Sequence, residues 1–244
     1  MDITKSLQDL SLFIETERKH YSGKCGNLFA VSCAQFIRYL EFLEIIYFRY
    51  KAAETGSTKL FDDLLAQSKK AENGPISTDS MKLLESSRAA NRLLHLETES
   101  FFIFAKLYLD KLAQFIENYF GSGHGASLRS HTKLHKKFDH YKAQKKLKVP
   151  EVFIKDIEWF NNVVTHTRDK QITHQKNSRS LFGTSFSAAG SAKIVTIQLF
   201  PGEHDSQSNS PNIDEVVKRL IRYTDRLVRL IKRNRKSSRY EQKI

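Results

Sequence analysis

Apolar residues recur along the chain at intervals of three and four, which is the spacing of a helix with one buried face. Near the N-terminus, Ile3, Leu7, Leu10 and Ile14 follow this pattern. Later stretches repeat it more densely, and glycine, proline or polar capping residues separate them. The pattern predicts helices over residues 1–20, 27–51, 58–70, 79–120, 150–167 and 212–235.

Two short stretches in the C-terminal third have a different period. Residues 193–200 alternate apolar and polar side chains, and residues 178–186 precede them across a small-residue turn that ends at Gly190. This arrangement predicts a β-hairpin insertion over residues 178–200. We therefore expect an all-α fold, an antiparallel helical bundle with a small β-hairpin insertion. We also expect a single domain over residues 1–244 with a frayed, basic tail from residue 234.

Composition excludes several classes of protein. The chain of 244 residues is 40% hydrophobic, which is enough for a core. Cys25 and Cys33 lack the spacing of a zinc module or a disulfide framework, which fits a reducing compartment and predicts a cytoplasmic protein. The first eight residues contain no apolar run, so we expect no signal peptide. Charged residues interrupt the densest apolar stretch, 28–50, so we expect a buried helix and no membrane partner.

Charge is divided unevenly between the two halves of the chain. Residues 1–120 hold 15 Lys and Arg against 16 Asp and Glu, whereas residues 121–244 hold 25 against 11. The net charge of +13 therefore comes from the second half. A clustered basic region indicates a polyanionic partner, and nucleic acid is the commonest one. A solubility surface or a face for an acidic protein partner would give the same pattern.

Two segments concentrate this positive charge. Residues 129–148 carry eight Lys and Arg against one acid, Asp139. In the last predicted helix, a packing stripe from Ile213 to Ile231 lies beside a stripe of arginines, whose forked side chains bind phosphate oxygens in pairs. We expect a nucleic-acid-binding surface here, with an ordinary solvated face as the alternative. The candidate residues are Arg129, Lys133, Lys136, Lys137, Arg219, Arg222, Arg226, Arg229 and Arg233.

Three residues in the basic segment also have a spacing that suits metal ligands. His131, His135 and Asp139 lie four residues apart and would share one helix face. No fourth ligand lies nearby, and cations surround the three residues. We therefore expect solvated side chains that can meet phosphates, and we expect neither a metal nor a cofactor.

The stretch from Arg168 to His174 combines two groups that suit RNA cleavage. Arg168 is a permanent cation that can stabilise phosphate charge, and Asp169, the residue after it, is polar. Histidine is the only side chain whose ordinary pKa lets it exchange a proton near neutral pH, so His174 can act as a general acid or base.

An Arg followed by a polar residue and, after four to six residues, by a His resembles the signature motif of the HEPN superfamily of helical proteins. Many members of that superfamily are metal-independent RNases. In this chain five residues separate Arg168 from His174. Apolar helical stretches at 27–51, 80–120 and 151–167 precede the motif, so the resemblance covers roughly residues 27–180. Only the Arg168–His174 segment is motif-specific, and the hairpin and last helix lie outside the family core.

The resemblance implies a metal-independent endoribonuclease in a defence or toxin–antitoxin setting. It assigns Arg168 to the phosphate, His174 to proton transfer, and Asp169 to orienting the pair. It also implies RNA as substrate, a homodimer whose two motifs face one groove, and a protein antitoxin as a partner. Two alternatives remain open. One is a non-catalytic helical module that binds nucleic acid or an acidic partner, and the other is a structural or regulatory dimer.

Overall fold

The structure is a computed structural model that describes residues 3–21, 28–70, 78–169, 182–185, 196–199 and 213–241. Most of this part of the chain is helical, which confirms the predicted all-α class, and two short strands are also present. The first helices are α1 (Ile3–Tyr21), α2 (Leu28–Lys70) and α3 (Thr78–Phe120). The others are α4 (His131–Gln144), α5 (Glu151–Phe160) and α6 (Ile213–Arg233). Among these helices, none contains a segment with both the length and the hydropathy of a membrane span.

These elements group into two compact units. The first unit comprises residues 1–44, 102–175 and 214–244, and the second comprises residues 45–101 and 176–213. Both units contain part of α2 and part of α3. Because the two units share these helices, the division does not test the single domain predicted over residues 1–244, which stays a prediction.

In the first unit, α2 and α3 pack antiparallel through aromatic side chains. Phe36 stacks on Tyr108 with ring centroids 5.0 Å apart, and Phe42 meets Phe104 edge to face at 5.8 Å. Residues later in α2 thus contact residues earlier in α3, as an antiparallel pair requires. Aromatic pairs of this kind contribute about 0.5–1.5 kcal/mol each beyond the area that they bury.

In the second unit, the same two helices continue as an antiparallel pair. Nη2 of Arg49 lies 2.5 Å from Oε1 of Glu97, and the buried Ser57 hydroxyl donates to Oδ1 of Asn91 at 2.9 Å. The prediction of two helices separated near Gly56 is wrong, because α2 is continuous through that residue. Packing of this turn against α3 outweighs the cost of a helical glycine, which is about 1 kcal/mol.

The core of the first unit holds fully buried tyrosines whose hydroxyl groups are hydrogen-bonded. The hydroxyls of Tyr21 and Tyr119 lie 2.8 Å apart, and Tyr119 donates to the buried Glu17 carboxylate at 3.1 Å. The Tyr108 hydroxyl lies 2.5 Å from Oγ1 of Thr224. Since a buried polar group without a partner is destabilising, these bonds allow large aromatic residues to fill the core.

The segment after α6 packs against the first unit, so the prediction of a frayed tail is wrong for residues 234–241. A 3-10 turn spans Arg235–Ser237, and the Arg235 guanidinium forms an ion pair with the buried Glu17. The Arg239 amide donates to the Tyr119 carbonyl at 3.1 Å. That carbonyl belongs to the last turn of α3, where carbonyls have no partner within the helix. The tail is ordered because it supplies this missing donor.

The apolar faces predicted for α1 and α6 are confirmed. On α1, all four residues of the predicted stripe are buried. On α6, every member of the predicted stripe is buried, namely Ile213, Val216, Val217, Leu220, Thr224, Leu227 and Ile231. On α5, Val152 is 43% exposed, because the buried stripe of that helix begins one residue later, at Phe153.

Two strands of four residues pair in the second unit. β1 (Phe182–Ser185) and β2 (Thr196–Leu199) are antiparallel, with Phe182 opposite Leu199 and Ser185 opposite Thr196. The residues that would connect and flank them lie outside the described residues. The predicted hairpin insertion over residues 178–200 therefore stays a prediction as a whole.

Candidate functional site

The helix that begins with α5 changes its geometry just before the predicted motif. A π-helix spans Asn161–Thr165, and residues 167–169 are again π-helical. Phe160 and Val164 are fully buried and anchor this segment in the core. Turns of this kind are rare and occur frequently at functional sites.

Arg168 and Asp169 lie at the end of this π-helical segment. Nη1 of Arg168 lies 2.7 Å from Oδ1 of Asp169, and the two side chains are 36% and 39% exposed. Arg168 is therefore held in place and remains accessible to solvent. His174 lies outside the described residues, so its position relative to Arg168 stays a prediction.

The predicted basic surface is most evident on α4. Leu134, Phe138 and Tyr141 are buried on one side of this helix, which turns the other side toward solvent. The exposed side carries three of the predicted cations, here called the α4 lysines: Lys133, Lys136 and Lys137. Arg129, just before the helix, is exposed as well. The only acid on α4 is Asp139, and Oδ1 of this residue pairs with Lys142 Nζ at 2.5 Å.

The predicted arginine stripe of α6 is divided into two groups. Arg222, Arg229 and Arg233 are exposed. Arg219 and Arg226 instead bind the same carboxylate, that of Asp156 on α5, which is 1% exposed. Two of the five arginines are thus part of a structural ion pair network.

A tryptophan completes this network. The Arg219 guanidinium lies 4.3 Å from the centroid of the Trp159 ring, and its Nε lies 3.2 Å from Oδ1 of Asp156. Asp156 was not among the site residues predicted from the sequence, although its position along the chain indicates a buried charge. It lies in the buried stripe of α5 between Phe153 and Phe160, where an acidic side chain requires cationic partners.

A second buried polar cluster lies where α3 meets the start of α4. Lys106 is 6% exposed, and its Nζ lies 2.6 Å from Oδ1 of Asp110. The same carboxylate oxygen accepts the backbone amide of His131 at 2.7 Å. Asp110 therefore stabilises the N-terminus of α4, where amides lack partners within the helix. Nε2 of His131 lies 3.4 Å from the Tyr223 hydroxyl.

His131 is fully buried, and its environment favours the neutral ring. Burial lowers its pKa to about 3, and the nearby charges of Lys106 and His135 act in the same direction. His135 and Asp139, which the sequence placed on the same helix face, are both exposed. The expectation of a solvated side chain is therefore wrong for His131, which is buried, and is confirmed for His135 and Asp139. Across the described part of the chain, no group of three or more His, Cys, Asp or Glu side chains is arranged to hold a metal ion.

In comparisons with known proteins, no family model, no curated protein and no solved structure matches this chain.

Proposed function

We propose that this protein binds RNA through the basic surface of α4 and cleaves it without a metal at the Arg168–His174 motif. The observation that carries the proposal is the exposure of Arg129 and the α4 lysines within a half of the chain that has a large positive charge. Such a surface attracts a phosphate backbone irrespective of sequence.

The proposed reaction is an internal transesterification. The 2′-oxygen of the ribose attacks the adjacent phosphorus, the bond to the 5′-oxygen breaks, and a cyclic phosphate and a 5′-hydroxyl result. His174 takes the proton from the 2′-hydroxyl and returns one to the departing 5′-oxygen. Arg168 stabilises the charge that develops on the phosphate oxygens. The contact between Arg168 and Asp169 supports the orienting role proposed for Asp169.

The active site is proposed to form across a homodimer. Two positions six apart on an α-helix are separated by about 9 Å along the axis and turned by about 120°. In a continuous helix, one copy of the motif would therefore not readily present both groups to a single phosphate, whereas two facing copies could. A protein antitoxin or another acidic protein is the proposed competitor for the basic surface.

Mutation of the motif tests the enzymatic part of the proposal. We expect the wild-type protein to cut a labelled single-stranded RNA in excess chelator, and His174→Ala to lower the rate by a factor of about 10² to 10⁴. Arg168→Ala should lower both cleavage and binding. His124→Ala, at an exposed histidine in the loop after α3, is the matched control and should cut like wild type.

The non-catalytic binding module is the competing function. It gains support if the wild-type protein retains RNA on a filter but leaves it uncut, or if His174→Ala cuts as fast as wild type. Either result removes the nuclease from the proposal and leaves the binding surface of α4 in place.

A further inference from the structure

A second group of cations lies where the C-terminal end of α4 meets the ordered tail after α6. We call it the tail cluster, and its members are Lys145, Lys146, Lys148, Lys236 and Arg239. Lys145 is partly exposed and the other four are exposed. None of the five is among the nucleic-acid-binding residues predicted from the sequence, and the RNA-binding surface proposed above does not include them.

Two contacts hold the end of α4 and the tail side by side. The Asn234 side chain donates to the Lys148 carbonyl at 3.0 Å and accepts the Lys148 amide at 2.7 Å. A Cβ added at Gly121 would lie 3.4 Å from Nζ of Lys145 and 3.5 Å from Cβ of Arg239. The side chains of Lys145 and Arg239 therefore lie beside the same glycine, and the fold brings cations from two separate segments together.

Positive charge on these two segments greatly exceeds negative charge. Residues 129–148 and residues 233–241 hold eight and four Lys and Arg, against one acid each. Both acids already have a partner, since Asp139 belongs to the ion pair described above and Oε1 of Glu241 lies 2.7 Å from Nε2 of His20. The surface that the two segments share therefore attracts a polyanion.

The large aromatic side chains of the two segments point inward. Phe138, Tyr141 and Tyr240 are at most 9% exposed, and neither segment contains a tryptophan. Proteins that bind single-stranded nucleic acid combine positive charge with aromatic side chains on which the bases stack, at about 1–3 kcal/mol per base. These segments expose no Phe, Tyr or Trp side chain for that purpose, so their surface offers a ligand mainly contacts to phosphate.

A double helix suits such a surface better than a single strand does. Its bases already stack on one another, and its two strands carry about twice as many phosphates per unit length as one strand. The cations are also held in fixed positions, with about 18 Å along the helix axis between Lys133 and Lys145. A flexible strand loses entropy when it is ordered to match this array, whereas a stiff double helix loses little.

We propose that the α4 lysines and the tail cluster together bind double-stranded RNA through its phosphates. This inference rests on the proposed binding of RNA by α4, and it adds the form of the RNA and a second half of the surface. The double helix reaches both groups of cations because it presents two backbones, whereas a single strand presents one.

Fluorescence anisotropy of the full chain with an RNA duplex of about 20 base pairs, and with one of its strands alone, tests this inference. Both RNAs carry 2′-O-methyl groups, which block the transesterification and leave the phosphates unchanged. We expect the duplex to bind at least tenfold more tightly than the strand. The double variant Lys148→Gln, Lys236→Gln should reduce the slope of log duplex affinity against log salt by about 2, because each phosphate contact contributes about 0.9.

The matched control is the double variant Lys5→Gln, Lys59→Gln, which removes the same charge from exposed positions on α1 and α2 and should bind both RNAs like wild type. Equal affinity for the duplex and the strand would overturn the inference and leave the binding of RNA by α4 in place. An unchanged duplex slope in Lys148→Gln, Lys236→Gln would have the same meaning. Failure to bind either RNA would overturn both the inference and the proposed function.

Discussion

Replacing Asp156 by Asn should destabilise the first unit through the loss of one buried charge. The carboxylate is 1% exposed and accepts hydrogen bonds from Arg219 and Arg226. The amide of Asn has almost the same size, so packing around α5 should change little. The substitution therefore isolates the contribution of the charge.

The expected magnitude follows from the two ion pairs. A hydrogen bond to a charged group contributes about 1.5–3 kcal/mol, so two contribute up to about 6 kcal/mol. The side chains of Arg219 and Arg226 remain 32% and 28% exposed, so water can solvate them once the carboxylate is gone. Water thereby offsets about half of the loss, and we expect Asp156→Asn to lower the free energy of unfolding by about 2–3 kcal/mol.

Urea unfolding followed by tryptophan fluorescence measures this change directly. Trp159 is the only tryptophan of the chain, and it lies against the Arg219 guanidinium of the same network. Asp139→Asn, at a carboxylate that is 82% exposed, is the matched control and should change stability by less than about 0.5 kcal/mol. If Asp156→Asn unfolds at the same urea concentration as this control, the two ion pairs do not stabilise the fold and the reasoning is refuted.

Three further predictions concern acid stability, glycine geometry and RNA affinity. Because His131 is neutral in the folded state with a pKa of about 3, its contribution to stability is complete above its ordinary pKa of about 6.5 and is lost as the pH falls toward 3. Over this pH range the free energy of unfolding of the wild-type protein should fall by up to about 5 kcal/mol. The fall should be absent in His131→Gln and present in His135→Gln. Gly123→Ala should destabilise the fold by about 1–3 kcal/mol, since the added Cβ would lie 2.8 Å from a glutamine oxygen. At Gly56 an added Cβ meets nothing within 4 Å, so Gly56→Ala should stabilise the fold by about 0.5–1 kcal/mol. Thermal unfolding measures both changes. Changing the α4 lysines to Gln should reduce the slope of log affinity for single-stranded RNA against log salt by about 2, while Lys82→Gln leaves it unchanged.

Each of these experiments has an outcome that would contradict the reasoning behind it. Parallel pH profiles for the two histidine variants would show that His131 is not buried in its neutral form. Equal effects of the two glycine substitutions would contradict the close approach at Gly123. An unchanged salt slope would show that phosphates do not contact the lysines of α4.

Much of the fold could be predicted from the sequence because the apolar spacing is regular. The buried stripes of α1 and α6 are those that the pattern predicts, since each stripe continues without interruption. The predicted break in α2 near Gly56 is wrong because one glycine destabilises a helix by only about 1 kcal/mol, which is less than the stabilisation from packing a whole turn. That packing depends on Asn91, which is 34 positions from Ser57 and is not visible in a local pattern.

The candidate site could be predicted only in part. The exposure of the α4 lysines was predicted from the excess of cations over residues 129–148, which carry eight Lys and Arg against one acid. The division of the α6 arginines could not be predicted in this way, because it depends on Asp156 in a different helix, 63 positions before Arg219 and 70 before Arg226. Charge counts along a chain do not distinguish a cation that faces solvent from one that neutralises a buried acid.

The ion pair between Glu17 and Arg235 spans 218 positions of the chain, which has a consequence for how the protein folds during synthesis. Glu17 is fully buried in the folded structure, yet its cation is translated 218 residues later. Closing so long a loop is slow, because its entropy is lost before the contact forms. The second unit, where α2 and α3 meet across 34 to 48 positions, can form its helical pair long before that point. The nascent chain should therefore acquire an ordered helical hairpin early, whereas α1 keeps its carboxylate in water until Arg235 has left the ribosome.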